Sequence, residues 1–528
     1  MNNLTLLDCT LRDGGYYNDW KFNNYYVKKY IKDISKANVD IIEIGFHFLD
    51  KKKDYGDYAY IDNRILNKLN IKKNKKLALM FNGVDFLKNE EKIFKKLNKI
   101  FNHKKNFFDT VRIAIHLKDL KKIKKFLDFF KVKKLKVCLN LMQINIVKKN
   151  DLVECLKTLN KWGNVDIFYF ADSFGSLNSK SIKNICSIIK INWKKEFGIH
   201  AHDNCGLALK NSITAFKSGA TWIDGTIQGM GRGAGNTRTE DLLTYFKKNN
   251  YYPDKIKNIS QKYFLKLKKY YNWGPSKFYK IAANYNIHPT YVQLILKDKR
   301  YKIFEQNSLI KHLAKIDSKK FDPNFLTDIT ESKIQIGKWS AYKWCLNRNI
   351  LILGQGRSLR SSSAQNLIKK FILKKKPIVI SININSNISK NLIDYYASCH
   401  DGRILVDHKN YEKLGKKIIL PLDILKSFKK VKNKDFFLDY GLKIKNNEFK
   451  CFNKFVVLPY NESFGYVIAL SIIGGSKSIF VAGVDGHEKE HNVYTKTDNI
   501  LKLIRKNYSD IKIKSLTKTR NKINYFKL

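Results

Sequence analysis

The stretch Leu4–Gly15, LTLLDCTLRDGG, is a short apolar run that ends in Arg12-Asp13-Gly14-Gly15. A run of that length, closed by polar residues and glycine, reads as a buried strand with reactive groups at its C-terminal end. The same pattern recurs through the first half of the chain. Strand candidates are Leu4–Cys9, Ile41–Gly45, Leu77–Phe81, Thr110–Ile115, Lys136–Leu141, Ile167–Ala171, Gly198–Ala201 and Trp222–Thr226. Lys-bearing stretches with helical periodicity, such as Tyr25–Ala37 and Leu152–Trp162, lie between most of them. Eight strands alternating with helices over this length predict an α/β chain whose residues 1–262 form a (β/α)8 barrel.

The texture changes twice beyond it. Residues 263–344 carry helical patterns rich in Tyr and Lys around Trp273-Gly274-Pro275 and His288-Pro289, and predict a small helical module. From 345 to 528 the α/β pattern returns. Asn349–Leu353 leads into Gly354-Gln-Gly356-Arg-Ser358-Leu359, then a helix over Ser363–Leu373, with further strands at Pro377–Ile384 and Ser478–Val484. A three-layer, Rossmann-like domain is expected there.

The chain has 528 residues, 44% of them apolar, which excludes a disordered polymer despite a net charge of +55. That charge would ordinarily point to nucleic acid. However, only 12 of the 101 basic residues are Arg, and the Lys are spread along the whole length. A polynucleotide binder concentrates its charge and interleaves aromatics, so the reading is solvated surface, with no specific nucleic-acid partner. Where Lys is the default, a retained Arg marks planar, bidentate chemistry; Arg12, Arg232, Arg238, Arg357 and Arg360 all fall within motifs. Eight scattered cysteines without a CxxC pair predict free thiols in a reducing compartment. No signal peptide is expected, and Tyr466–Val484 is read as helix, turn and strand rather than a membrane span. The expected location is cytoplasmic.

Three pieces converge if the barrel closes: Arg12-Asp13 after the first strand, His200-Ala-His202-Asp203-Asn204 after the seventh, and Gly235-Asn236 after the eighth. Alternate strand residues share a face, so His200 and His202 can present two imidazoles to one ion. Asp13 and Asn236 add oxygen donors, a set suited to Mn²⁺ or Mg²⁺, with Zn²⁺ less favoured. The motifs LLDCTLRDGGYYNDW and GIHAHDNCGLAL resemble the metal-dependent lyase (DRE-TIM) superfamily, most closely its 4-hydroxy-2-oxovalerate aldolase branch, over residues 4–245. The resemblance implies a TIM-barrel lyase in which Asp13, His200, His202 and Asn236 hold the metal and Arg12 stands beside a developing pyruvate enolate. It also implies a 2-oxo acid and aldehyde as reactants, and a homodimer. Glu43, Arg112, Asp172, Ser173, Asp203 and Asn204 are expected behind the ligands or against the substrate.

One position departs from the resemblance. The related aldolases carry a His two residues after the Gly of Arg-Asp-Gly, where this chain has Tyr16. A phenol near pKa 10 is a poor base unless its surroundings lower that value; His47 and His288 are the candidate substitutes. The alternatives are a condensing enzyme of the same superfamily, or a basic scaffold or nucleic-acid binder that does no chemistry.

The Gly354–Leu359 loop lies between a strand and a helix, where glycines let a phosphate approach backbone donors. Leu359 stands where a dinucleotide fingerprint needs its third glycine, which disfavours NAD. With PYNESFGYVIALSIIGGSKSIFVAGVDG further on, the region resembles MptE-like and bacterial sialyltransferase-like domains. That implies a nucleotide or sugar nucleotide held by Gly354, Gly356, Ser358, Asn383 and Asp485, and a place in surface-polysaccharide biosynthesis.

Overall fold

The computed structural model describes residues 4–50, 54–69, 71, 75–101, 107–247, 250–297, 303–314, 318–319, 334–385, 387–400, 403–404, 407, 410–422, 436–486 and 495–527. The chain divides into two compact units, one holding 1–299 and 317–321, the other 300–316 and 322–528.

In the first unit eight parallel strands close into a barrel in chain order. They are β1 (Thr5–Asp8), β2 (Ile41–Phe46), β3 (Lys76–Asn82), β4 (Thr110–Ile115), β5 (Lys136–Leu141), β6 (Ile167–Asp172), β7 (Phe197–Ala201) and β8 (Trp222–Gly225). Each overlaps the strand expected from the sequence. β8 returns to β1 with Leu7 opposite Asp224. Both faces of these strands are buried, which is why they read as unbroken apolar runs. Side chains alternate along each strand. Leu6, Ile42, Leu79, Val137, Leu139, Phe168 and Ile223 join the core beneath the helices. Leu7, Ile41, Ala78, Cys138, Ile167, Tyr169 and Trp222 pack on one another inside the barrel. One pleat nearer the C-terminal ends the inward face turns polar. Glu43 follows Ile41 and Asp224 follows Trp222, and Arg112 of β4 and His200 of β7 are buried there with them.

After β8 the same unit continues through the helices Lys277–Asn284 and Pro289–Lys297. The second of these is tied to the barrel mouth. Gln293 Oε1 accepts from Gly233 N (3.2 Å), and Gln293 Nε2 donates to the Tyr16 carbonyl (3.0 Å). The Tyr17 hydroxyl donates to the Gly233 carbonyl (2.5 Å).

The second unit is built on β9 (Asn349–Leu353), β10 (Ile378–Ile382), β11 (Tyr395–Ala397), β12 (Lys417–Leu420), β13 (Phe437–Asp439), β14 (Gly441–Ile444), β15 (Lys450–Phe452), β16 (Phe455–Leu458), β17 (Ser478–Ala482), β18 (Ile513–Ser515) and β19 (Asn524–Tyr525). Its main sheet has the order β13-β12-β11-β10-β9-β17-β18-β19, and β14-β16-β15 form a small second sheet. One face of the main sheet packs Ile350, Ile352 and Val481 under the buried helix Ser463–Ile473. The other packs Leu351, Leu353 and Phe480 against Ile368 and Phe371 of the helix Ser362–Lys375. The apolar window Tyr466–Val484 is therefore helix, glycine turn and strand, as expected. No described helix is long and apolar enough to cross a membrane. All eight cysteines are free, six of them buried.

Phe81 on β3 is 1% exposed and packs against the rings of Phe86, Phe101 and Phe130. Phe81→Ala is expected to lower the unfolding free energy of the barrel by about 3–5 kcal/mol, measured by denaturant titration.

Candidate metal centre

The C-terminal end of β1 is anchored before any catalytic group is placed. The Asp8 carboxylate accepts from Thr10 N (2.9 Å), Tyr30 Oη (2.5 Å) and Thr239 Oγ1 (2.5 Å). Thr10 Oγ1 in turn accepts from Ile227 N (2.8 Å). These bonds fix Arg12 and Asp13 against the loop that follows β8. In that loop Gly235 is left-handed (φ 90°), and a Cβ there would lie 1.9 Å from the Gly229 carbonyl oxygen. The tight turn brings Asn236 into a backbone bridge with His202.

Asp13, His200 and His202 converge as the sequence predicts, all buried. Asp13 Oδ2 lies 3.6 Å from His200 Nε2 and 4.0 Å from His202 Nε2. Both distances are too long for hydrogen bonds and leave room for a shared partner. Asn236 Nδ2 donates to Asp13 Oδ2. His200 Nε2, His202 Nε2 and Asn236 Oδ1 are buried without any hydrogen-bond partner. Buried polar atoms are seldom left so. Two imidazole nitrogens and an amide oxygen around a carboxylate fit a divalent cation.

The opposite edge of each imidazole is held. Asp224 Oδ2 accepts from His200 Nδ1 (2.8 Å), and the Asp172 carbonyl accepts from His202 Nδ1 (3.0 Å). Each leaves Nε2 as the lone-pair nitrogen facing the centre. Burial opposes ionisation of Asp13, but Arg12 and the two imidazoles outweigh it and hold the carboxyl well below its usual range. Burial, His200 and Arg232 keep His202 neutral, well below the ordinary imidazole value. Burial also works against charge on His200, yet the Asp13 and Asp224 carboxylates raise its pKa.

A continuous chain of buried charges runs behind the ligands. Arg12 Nη1 donates to Asp13 Oδ1 (2.5 Å) and its Nε to Glu43 Oε2 (2.7 Å). Arg112 Nη1 donates to Glu43 Oε1 (3.2 Å) and its Nη2 to Asp224 Oδ2 (2.6 Å), with its guanidinium 4.4 Å over the Tyr169 ring. Glu43 and Arg112 thus stand behind Asp13 and His200. Asp224 is the member the sequence reading missed. Its signal was its place on the last strand, two residues after the inward Trp222.

The other expected residues hold loops. The Asp172 carboxylate accepts from Asn145 Nδ2 (2.6 Å), Ser176 N (3.0 Å) and Leu177 N (3.2 Å). Ser173 Oγ accepts from Gln143 N (2.8 Å), and Asp203 Oδ1 from Ala208 N (3.0 Å). Asn204 Nδ2 donates to the Phe174 carbonyl (2.9 Å). These bonds order the loops after β5, β6 and β7.

Tyr16 sits between Trp20 (ring centroids 5.0 Å apart) and Arg232, whose guanidinium carbon is 5.6 Å from the ring centroid. Burial raises its pKa further, against the pull of Arg232. The phenol stays protonated. His47 lies at the end of β2 and donates Nδ1–H to the Ile61 carbonyl (2.8 Å). His288 precedes the helix Pro289–Lys297. Burial first, then the charges of Arg232, His116 and His202, hold it well below the usual imidazole value.

In the second unit, Gly354 and Gly356 donate their amides to the Ala482 and Gly483 carbonyls (both 2.8 Å) at the C-terminal ends of β9 and β17. Asp485 closes over the loop, accepting from Ser358 N (2.8 Å) and Ser358 Oγ (2.5 Å). A Cβ at Gly356 would lie 2.3 Å from the Asp485 carboxyl carbon. Asn383, left-handed at φ 59°, follows β10 with its Oδ1 buried and unpartnered.

Residues 3–262 match the HMGL-like family. The barrel belongs to that family. Its relatives include proteins named as carbon–carbon lyases. The chain is 29% identical over 252 residues to the 4-hydroxy-2-oxovalerate aldolase of Pelotomaculum thermopropionicum, covering 47% of this chain and 71% of that protein. It is 24% identical over 248 residues to an oxaloacetate decarboxylase of Mycobacterium tuberculosis, covering 47% and 70%. The solved N-terminal domain of an aldolase candidate from Bacteroides vulgatus is 33% identical, with a TM-score of 0.52, covering 58% of this chain and all of that one.

Asp13→Ala is expected to abolish stoichiometric divalent metal. Asp224→Asn, which loosens the back of His200, is expected to weaken metal binding by about 10–100-fold. Metal titration monitored by calorimetry checks both.

Proposed function

We propose that the HMGL-like barrel cleaves, or in reverse forms, the C3–C4 bond of a 4-hydroxy-2-oxo acid, with a divalent cation, Mn²⁺ or Mg²⁺ before Zn²⁺, held by Asp13, His200, His202 and Asn236. The observation that carries the reading is the set of unpartnered buried atoms, His200 Nε2, His202 Nε2 and Asn236 Oδ1, facing Asp13 beside Arg12. A bound divalent ion supplies Lewis acidity to the 2-oxo acid's oxygens and orients them.

The chain's own residues do the rest. In the cleavage direction the 4-hydroxyl loses its proton, the C3–C4 bond breaks to release an aldehyde, and the electron pair is left as the enolate of pyruvate. Arg12, fixed by Asp13 and Glu43, places positive charge where that negative charge develops. Protonation of C3 then gives pyruvate. We assign the hydroxyl proton to His288 rather than to Tyr16, whose phenol burial keeps protonated. Tyr16 is suited to donating a hydrogen bond.

With Mn²⁺ present, pyruvate release from a panel of 4-hydroxy-2-oxo acids is the test. His288→Gln is expected to lower kcat by about 10²–10⁴-fold, and Tyr16→Phe by less than about tenfold. No release from any member would remove the aldolase reading. A larger loss in Tyr16→Phe than in His288→Gln would reassign the base.

For the second unit we propose a nucleotide or sugar-nucleotide site at the ends of β9 and β17. The sheet order reverses there, with β10 on one side of β9 and β17 on the other, and ligands of open parallel sheets bind at such points. Asp485 already takes the donors of Ser358, so its carboxylate is assigned to sugar hydroxyls rather than to phosphate. A role in surface-polysaccharide synthesis rests only on the company of the two units. Calorimetry with CMP- and UDP-type ligands should show binding that Gly356→Val abolishes, since a side chain there collides with Asp485. Unchanged affinity in that variant would contradict the site.

A further inference from the structure

The arginines of the barrel interior and mouth differ in one respect. Arg12 and Arg112 each bridge two carboxylates. Arg238 lies near Glu240 and Asp241, at 4.0 and 3.8 Å. Arg232 has no carboxylate partner among the described residues, and its Nε, like those of Arg112 and Arg238, is buried without a hydrogen-bond acceptor. Its guanidinium carbon lies over the Tyr16 ring, 5.6 Å from the centroid. A stacked guanidinium keeps its in-plane donors available.

Its position is fixed close to the metal centre. A Cβ on the preceding Gly231 would lie 2.7 Å from Asp13 Oδ2 and 2.4 Å from Asn236 Nδ2, so the backbone passes directly against the ligands. The following Gly233 is clamped by Gln293 and Tyr17. Arg232 therefore stands beside the place where a 2-oxo acid would reach the metal. A partly buried cation without a counterion is costly unless an anion joins it.

Building on the 2-oxo-acid reading, we propose that Arg232 is the recognition residue for a second anionic group on the substrate, a carboxylate or phosphate remote from the 2-oxo acid end. The preferred reactant is then a 4-hydroxy-2-oxo acid whose aldehyde portion is itself charged, rather than one with a hydrocarbon tail. The Arg232 fork pairs with that group in the planar, two-point manner a carboxylate or phosphate offers. A neutral tail leaves the guanidinium desolvated and unpaired, which is how such sites reject analogues.

The test is calorimetric binding to the full-length, Mn²⁺-loaded chain of three ligands with the same 2-oxo acid end. They are 2-oxopentanoate, 2-oxoglutarate and 2-oxo-4-phosphonobutanoate. Wild type is expected to bind at least one charged-tail ligand about tenfold or more tighter than 2-oxopentanoate, and which one it prefers tells carboxylate from phosphate. Arg232→Gln is expected to erase the preference, Arg232→Lys to retain part of it, and Arg238→Gln to leave it intact. Equal binding of all three by wild type, or a preference that survives in Arg232→Gln, overturns this proposal alone. Failure of all three to bind removes the 2-oxo-acid reading and this proposal together.

Discussion

The active end of the barrel depends on one chain of alternating buried charges: Asp13, Arg12, Glu43, Arg112, Asp224, His200. Each link has its partner on both sides except the two ends, where His200 and Asp13 face each other across 3.6 Å. Three carboxylates against two guanidiniums leave one negative charge in a water-poor interior. Buried ion pairs are a poor source of stability, since their desolvation offsets much of their attraction. Their value is geometric. The network holds Asp13 and His200, two of the proposed cation ligands, from behind. A divalent cation turns the surplus negative charge positive, which suits a monoanionic 2-oxo acid.

That network follows from the strand pattern. A period of two on each strand sends the same parity inward. Apolar residues fill the lower part, and the next inward position on β2, β4, β7 and β8 supplies Glu43, Arg112, His200 and Asp224. The convergence of Asp13, His200 and His202 was legible because His200-x-His202 and Arg12-Asp13 are local patterns at strand ends. Asp224 was not, because Trp222-Ile-Asp224 looks like any buried strand until closure sets β8 beside both β1 and β7. The role of Tyr16 was half legible. Its chemistry argued against a base, and only packing against Trp20 and Arg232 shows that its surroundings raise rather than lower its pKa.

The second unit was less readable for a physical reason. β9, β10 and β17 lie in the middle of a sheet covered on both faces and read as apolar runs. The strands from β11 to β16, and β18 and β19, are two to four residues long. Such short pieces carry too little periodicity to separate from loops. The Gly-x-Gly loop was found, but its glycine at 356 makes room for the Asp485 carboxylate, a contact between residues 129 positions apart in number that no local motif encodes. Single residues such as Arg12 and Arg112 are each confined by named carboxylates, a placement the bulk charge of +55 does not foretell.

The charge chain is proposed to end on a divalent cation between Asp13, His200 and His202. The most direct measurement is anomalous diffraction at the manganese edge from crystals of the Mn²⁺-loaded protein. A single strong peak about 2.0–2.3 Å from Asp13 Oδ2, His200 Nε2 and His202 Nε2 is predicted. A peak elsewhere, or none with manganese bound in solution, would contradict it.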